Sequence, residues 1–304
     1  MPGARVSREG GVQARAGNQG GPQVSEVPVV FVHGLRTSRS MWRVQVAAVE
    51  AAGHRALAID LPGHGQRVGE EFTLGAAVDA VRQGVEAVGG RALVVGLSLG
   101  GYVAIAHAAR HPEQVAGLVA ASCCTRPRAL VVGAWDAASH LVLRLPDRGS
   151  RLNAAAVRLA LPAVGAADAA AGGFALEVMT PVLRALRGWD VLADLRSVAA
   201  PVWLVNGRFD HFRGEERAFL AACREGRLVV VPGATHLVSL VRPTRFSRAV
   251  LEALAAVEDR DAQAPSDQAR TPPTMPASLG TTTTSSPSRS STAGVMRRAF
   301  PPPR

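Results

Sequence analysis

Lysine is absent from the 304 residues, so all 34 basic side chains are arginine. The net charge of +10 is therefore less informative than its size suggests, because arginine alone carries it. Half of it lies near the termini: residues 1–24 hold three Arg and one Glu, and residues 261–304 hold five Arg and two Asp. No dense basic run marks the rest, so no nucleic-acid partner is expected. Aromatics are scarce at 4%, with Tyr102 the single tyrosine. Cysteine is limited to Cys123, Cys124 and Cys223. An odd count with two adjacent residues excludes a disulfide framework, and the apolar neighbours point to buried, reduced thiols. No run reaches the roughly 18 apolar residues of a membrane-spanning helix, so no membrane span is expected. The first 25 residues contain no apolar signal-peptide core, which leaves the cytoplasm as the expected location.

What is present is a long apolar middle between two polar ends. Residues 1–26 are Gly-rich and aperiodic, and read as a flexible lead-in. Residues 259–304 include PSDQARTPPTMP and GTTTTSSPSRSS, a composition that buries too little apolar surface to offset chain entropy. They read as a disordered, dispensable tail. Between them, about 230 residues suffice for one sizeable core.

Short apolar runs alternate there with longer helical patterns. The runs are Val29–Val32, Ala56–Ile59, Leu93–Val95, Val115–Ala120, Val202–Val205 and Leu228–Val231. Their near-continuous apolar character fits strands covered on both faces. Helices are expected over 40–52, 74–88, 99–110, 214–224 and 243–257. This alternation predicts an α/β fold, a mostly parallel sheet with helices on both faces. One stretch interrupts it. Residues 125–199 are too long for a plain connection and read as helical over 130–145, 152–161, 173–186 and 191–198. They are expected to form a helical cap on a core of 27–124 and 200–258.

Chemistry-bearing residues gather where these strands end. Gly96-Leu97-Ser98-Leu99-Gly100 is a G-x-S-x-G directly after a strand and directly before a helix. Such a turn needs small residues on either side and exposes the serine at the carboxyl edge of the sheet. The helix behind it offers free N–H groups and a partial positive charge to a developing oxyanion. Val29–Val32 runs into His33-Gly34-Leu35, in which His33 reads as an orienting residue rather than a base. Val202–Val205 leads through Asn206-Gly207-Arg208-Phe209 to Asp210. Leu228–Val231 leads through Pro232-Gly233-Ala234-Thr235 to His236. His211 ranks second as a base, being tied to the same loop as the acid. His140 is expected at the surface of the cap. No His, Cys and carboxylate group has metal-ligand spacing, and neither a dinucleotide fingerprint nor a Walker A sequence occurs.

Over roughly residues 27–257 these elements resemble the α/β-hydrolase superfamily, and its serine carboxylesterase and lysophospholipase-like branch. The matching segments are FVHG (31–34), DLPGHG (60–65), GLSLGG (96–101), NGRFD (206–210) and GATH (233–236). The order Ser, Asp, His is the one this fold uses. The chain departs from the family in continuing DLPGHG with Gln66-Arg67, and in lacking a convincing strand pair within 1–26. The resemblance implies Ser98 as nucleophile, His236 as base, Asp210 as orienting acid, and the N–H groups of Leu35 and Leu99 as the oxyanion hole. The expected substrate is a small-to-medium apolar ester or related acyl compound, with no cofactor. Acyl transfer, C–C hydrolysis, lyase chemistry or cofactor-free perhydrolysis on the same framework are the alternatives. A non-catalytic ligand-binding protein of the same fold is a further one.

Overall fold

The computed structural model describes residues 26–263; the expected lead-in, apart from Glu26, and the expected tail beyond 263 lie outside the described residues. Six parallel strands form one sheet in the order β2-β1-β3-β4-β5-β6. They are β1 (Val29–Val32), β2 (Ala56–Ile59), β3 (Ala92–Leu97), β4 (Val115–Ala121), β5 (Val202–Gly207) and β6 (Gly226–Val231). Crossover helices are α1 (Arg43–Ala51), α2 (Leu74–Ala87) and α3 (Leu99–Arg110). Five helices fill the interval between β4 and β5: α4 (Ala129–Leu143), α5 (Ser150–Ala160), α6 (Ala163–Ala170), α7 (Met179–Leu186) and α8 (Val191–Ser197). α9 (Glu216–Ala222) links β5 to β6, and α10 (Val238–Val241) and α11 (Pro243–Gln263) are the last described helices.

The period-2 geometry of the strands divides the core into two layers. In β1, Val30 and Val32 face the layer that includes α2, α3 and α8, while Val29 and Phe31 face the layer of α1 and α11. The second layer is anchored by Trp42, fully buried with its ring 5.1 Å from Phe31 and 5.7 Å from Phe246. The expectation of strands covered on both faces holds for the inner four. The edge strands β2 and β6 are only partly buried, because each has a neighbour on one side alone.

Three local expectations are corrected. α6 had no clear apolar periodicity in its Ala-rich stretch and was not foreseen, whereas residues 173–178 are not helical; Gly173 at φ +77° interrupts the chain there. α11 runs on to Gln263, past the expected end of the core at 258, and Asp261 pairs with Arg91 at 2.6 Å. Cys123 and Cys124 are buried and free, as expected, but Cys223 is only half-buried.

Charged ties hold the segment between β4 and β5 to the elements around it. Arg43 of α1 makes a two-pronged contact with Asp168 of α6, at 2.6 and 3.1 Å. Glu215, ahead of α9, accepts from Arg126 and Arg128, and despite the opposing effect of burial these bonds hold its carboxyl down at about 2. Among the described residues no helix is long and apolar enough to cross a membrane.

Two buried histidines set an acid limit on this fold. Burial, reinforced by neighbouring cationic groups, lowers His33 and His107 to about 3. Below about pH 6.5 the unfolded chain takes up two protons that the native fold refuses until about pH 3, so native stability is full above pH 6.5 and falls across that window. The two together give a slope of about 3 kcal/mol per pH unit. Urea unfolding between pH 7.5 and 5 is expected to show this decline, and His107→Gln to make it shallower by about 1 kcal/mol per pH unit.

Candidate functional site

The strand order places the site. From the adjacent strands β1 and β3 the chain departs in opposite directions, to β2 on one side and to β4 on the other, so the loops after β1 and β3 lie together at the carboxyl edge, where parallel sheets leave a crevice. Ser98 follows β3 and caps α3 with φ 54° and ψ −114°. Its N–H donates to the Ala121 carbonyl at 2.8 Å, which pins the turn to β4. Two glycines make the turn possible by close approach. A Cβ on Gly96 would meet the Gly100 carbonyl oxygen at 2.1 Å, and one on Gly100 would meet the Val32 carbonyl oxygen at 2.1 Å. The start of α3 is thus seated against the end of β1.

The loop after β1 is fixed from below. His33 Nδ1 donates to the Gly34 carbonyl at 2.8 Å, and its Nε2 accepts the Leu61 N–H at 3.0 Å. This arrangement needs a neutral ring, consistent with the lowered pKa, and gives His33 the orienting position read from the sequence. Asp60 accepts the N–H groups of Arg39 and Gln66 at 2.7 and 3.0 Å. The unusual Gln66 is therefore used through its backbone, which any side chain there would supply. Leu35 and Leu99 both line the pocket beside Ser98.

Asp210 and His236 arrive from neighbouring strands. Phe209 N–H donates to the Ala234 carbonyl at 2.9 Å and Arg208 N–H to the Val231 carbonyl at 3.0 Å, joining the two loops. His236 Nδ1 lies 2.9 Å from Asp210 Oδ1, and His236 Nε2 lies 3.0 Å from Ser98 Oγ. Burial opposes the Asp210 charge, but the His236 hydrogen bond and charge, the Phe212 N–H and the Ser122 hydroxyl outweigh it and hold the carboxyl below its usual value. His211 is exposed, its Nδ1 is 3.9 Å from Asp210, and its ring lies tilted 4.9 Å from that of His236; it makes no hydrogen bond to Ser98. His140 is exposed on α4 and does not line the pocket.

Two residues were not singled out in the sequence. Ser122 is buried at φ 54° after β4, and its hydroxyl lies beside the Asp210 carboxylate, short of full hydrogen-bond geometry. Asn206 accepts the Ser122 N–H at 3.0 Å and donates to Glu216 at 2.8 Å, fixing that corner. The available signals were a serine at a strand's carboxyl end and a polar residue closing an apolar strand.

The pocket over Ser98 has a volume of about 280 Å³ and a largely apolar wall. Val131, Val132 and Trp135 come from α4, Val157 from α5, and Val182 and Leu186 from α7. Asp210, His211 and His236 bring potential metal-ligand atoms within 4.8 Å of one another, but Asp210 and His236 are already engaged with each other and with Ser98.

Comparison with known proteins places this geometry in context. A family model described as the alpha/beta hydrolase family matches residues 29–249. The chain is similar to a pimeloyl-[acyl-carrier protein] methyl ester esterase of Edwardsiella ictaluri, with 29% identity over 243 residues, 74% of this chain and 92% of that protein. It is 28% identical to a putative carbamate hydrolase of Variovorax paradoxus over 255 residues, 78% of this chain and 94% of that protein. The crystal structure of a putative non-heme bromoperoxidase from Mycobacterium tuberculosis matches with a TM-score of 0.63 and 25% identity, over 76% of this chain and 92% of that one.

Gly100→Ala tests the seating of the turn. The added methyl cannot avoid the Val32 carbonyl without moving α3, so a loss of about 3 kcal/mol or more is expected in urea unfolding. A loss below about 1 kcal/mol would show that the turn has slack.

Proposed function

The chain belongs to the alpha/beta hydrolase family, and from that premise we propose that it is a serine hydrolase that cleaves a carboxylic ester, or related acyl bond, of a small-to-medium apolar substrate. The observation that carries this reading is the unbroken line from Ser98 Oγ through His236 to Asp210, with 3.0 and 2.9 Å links, beneath an apolar pocket. Ser98 attacks the carbonyl carbon while His236 Nε2 takes its proton. Asp210 holds the Nδ1–H tautomer and stabilises the imidazolium without itself taking the proton. The N–H groups of Leu35 and Leu99 receive the oxyanion, each contributing roughly 3 kcal/mol to the transition state. The charged His236 protonates the leaving alcohol, and an acyl-Ser98 ester remains. Water then enters, His236 takes its proton, and the acid departs from Ser98. Each proton taken is returned, so this cycle needs no redox or group-carrying cofactor. Helices α4–α8, in the role of a cap, shape the acyl and alcohol subsites. Three free cysteines fit a cytoplasmic setting.

Fluorophosphonate labelling and turnover of short- and medium-chain p-nitrophenyl esters test the reading. Wild type is expected to label and turn over, and Ser98→Ala to lose labelling and at least about 10⁴-fold in kcat/KM. Absence of both activities in folded wild type would replace hydrolysis with ligand binding as the function.

A further inference from the structure

Two arginines line the apolar pocket, and one of them, Arg36, is used neither by the proposed chemistry nor, among the described residues, by an ion pair. Arg36 follows Leu35 directly and lines the pocket. Its backbone is left-handed, at φ 68°, a conformation that glycine or asparagine adopts at lower cost than a long side chain. The loop holds it there on both sides: the Arg36 carbonyl accepts the Ala175 N–H at 3.0 Å, and Thr37 Oγ1 donates to the Gly34 carbonyl at 2.8 Å.

The guanidinium has little to occupy it. Its Nη1 donates to Asn153 Oδ1 of α5 at 3.2 Å, and no carboxylate lies within ion-pair distance among the described residues. The other arginine on the pocket wall, Arg126, is engaged by Glu215 at 2.6 Å. Arg36 is exposed at the pocket wall, and the protein packed around it lowers its pKa from the usual arginine value. Four of the five guanidinium N–H donors have no acceptor among the described residues. A pocket-lining guanidinium without an ion-pair partner is matched best by a planar carboxylate, which accepts two parallel hydrogen bonds.

The geometry points to Arg36 as a specificity-determining residue that receives a carboxylate on the substrate, a few carbons from the scissile carbonyl. The substrate class is then an ester with one free carboxylate and an otherwise apolar body, such as a half-ester of a short dicarboxylic acid. The short offset follows from sequence adjacency, since Leu35 supplies the proposed oxyanion donor and Arg36 is the next residue. This inference rests on the hydrolase reading above and narrows it.

Matched ester pairs test it with the full-length protein. The first pair is p-nitrophenyl butyrate against mono-p-nitrophenyl glutarate, with the charge on the acid half. The second is phenyl butyrate against the butyrate ester of 4-hydroxybenzoate, with the charge on the alcohol half. In one pair the anionic member is expected to have a kcat/KM higher by about tenfold, carried by KM, and that pair identifies which half Arg36 reads. The preference shrinks as salt rises. Arg36→Gln abolishes it, and Arg36→Lys retains part of it. Equal or lower kcat/KM for both anionic esters in wild type, insensitive to salt, would overturn the inference even if Arg36→Gln failed to fold. Turnover of neutral esters without any anionic preference removes this inference and leaves the hydrolase reading intact. If no ester is turned over, the hydrolase reading fails, and calorimetric binding of the same pairs to Ser98→Ala decides the carboxylate reading by whether the anionic member binds about tenfold tighter.

Discussion

Ser98 occupies a backbone conformation that costs about 1–3 kcal/mol, and the surrounding packing is what maintains it. The amide is held by β4 through Ala121, and the glycines on either side permit backbone contacts that no side chain would allow. The turn cannot relax without lifting α3 from β1, and α3 is buried along nearly its whole length. Strain at one residue is thus distributed into the central part of the core. The consequence is functional: the hydroxyl projects above the sheet edge, where His236 meets it.

Electrostatics divides the histidines by role. His33 and His107 are buried and kept neutral; His33 makes two hydrogen bonds that shape a loop, while His107 has no hydrogen-bond partner among the described residues. His236 retains contact with the pocket and has a carboxylate on one nitrogen and a hydroxyl on the other. Asp210 stays ionised in a buried position because several donors converge on it, including the Phe212 N–H at 2.8 Å. The same chemical group is therefore a structural pin at His33 and, at His236, a link between a carboxylate and a hydroxyl, according to which partners the strand ends bring to it.

Much of this was legible in the sequence because the fold places chemistry at strand ends. Once Val29–Val32, Ala92–Leu97, Val202–Gly207 and Gly226–Val231 run parallel in one sheet, the residues that follow them must emerge at one edge. That reasoning located Ser98, Asp210, His236 and the Leu35 loop. It failed where the signal is tertiary. α6 is Ala-rich and held by Asp168 pairing with Arg43, a contact between residues far apart in the chain. Ser122 acquires its position from its backbone angle and from Asn206, neither of which is visible in a string of small residues. Arg36 is one of many arginines, and only the pocket distinguishes it.

The central claim is that Ser98 becomes covalently acylated during turnover. Its most direct test is intact-protein mass spectrometry after rapid mixing with p-nitrophenyl butyrate and acid quench, followed by peptide mapping. The account predicts one added butyryl group, located on Ser98, that disappears with time as the ester is hydrolysed and is absent in Ser98→Ala. Turnover without any adduct, or an adduct on another residue that persists in Ser98→Ala, would contradict it.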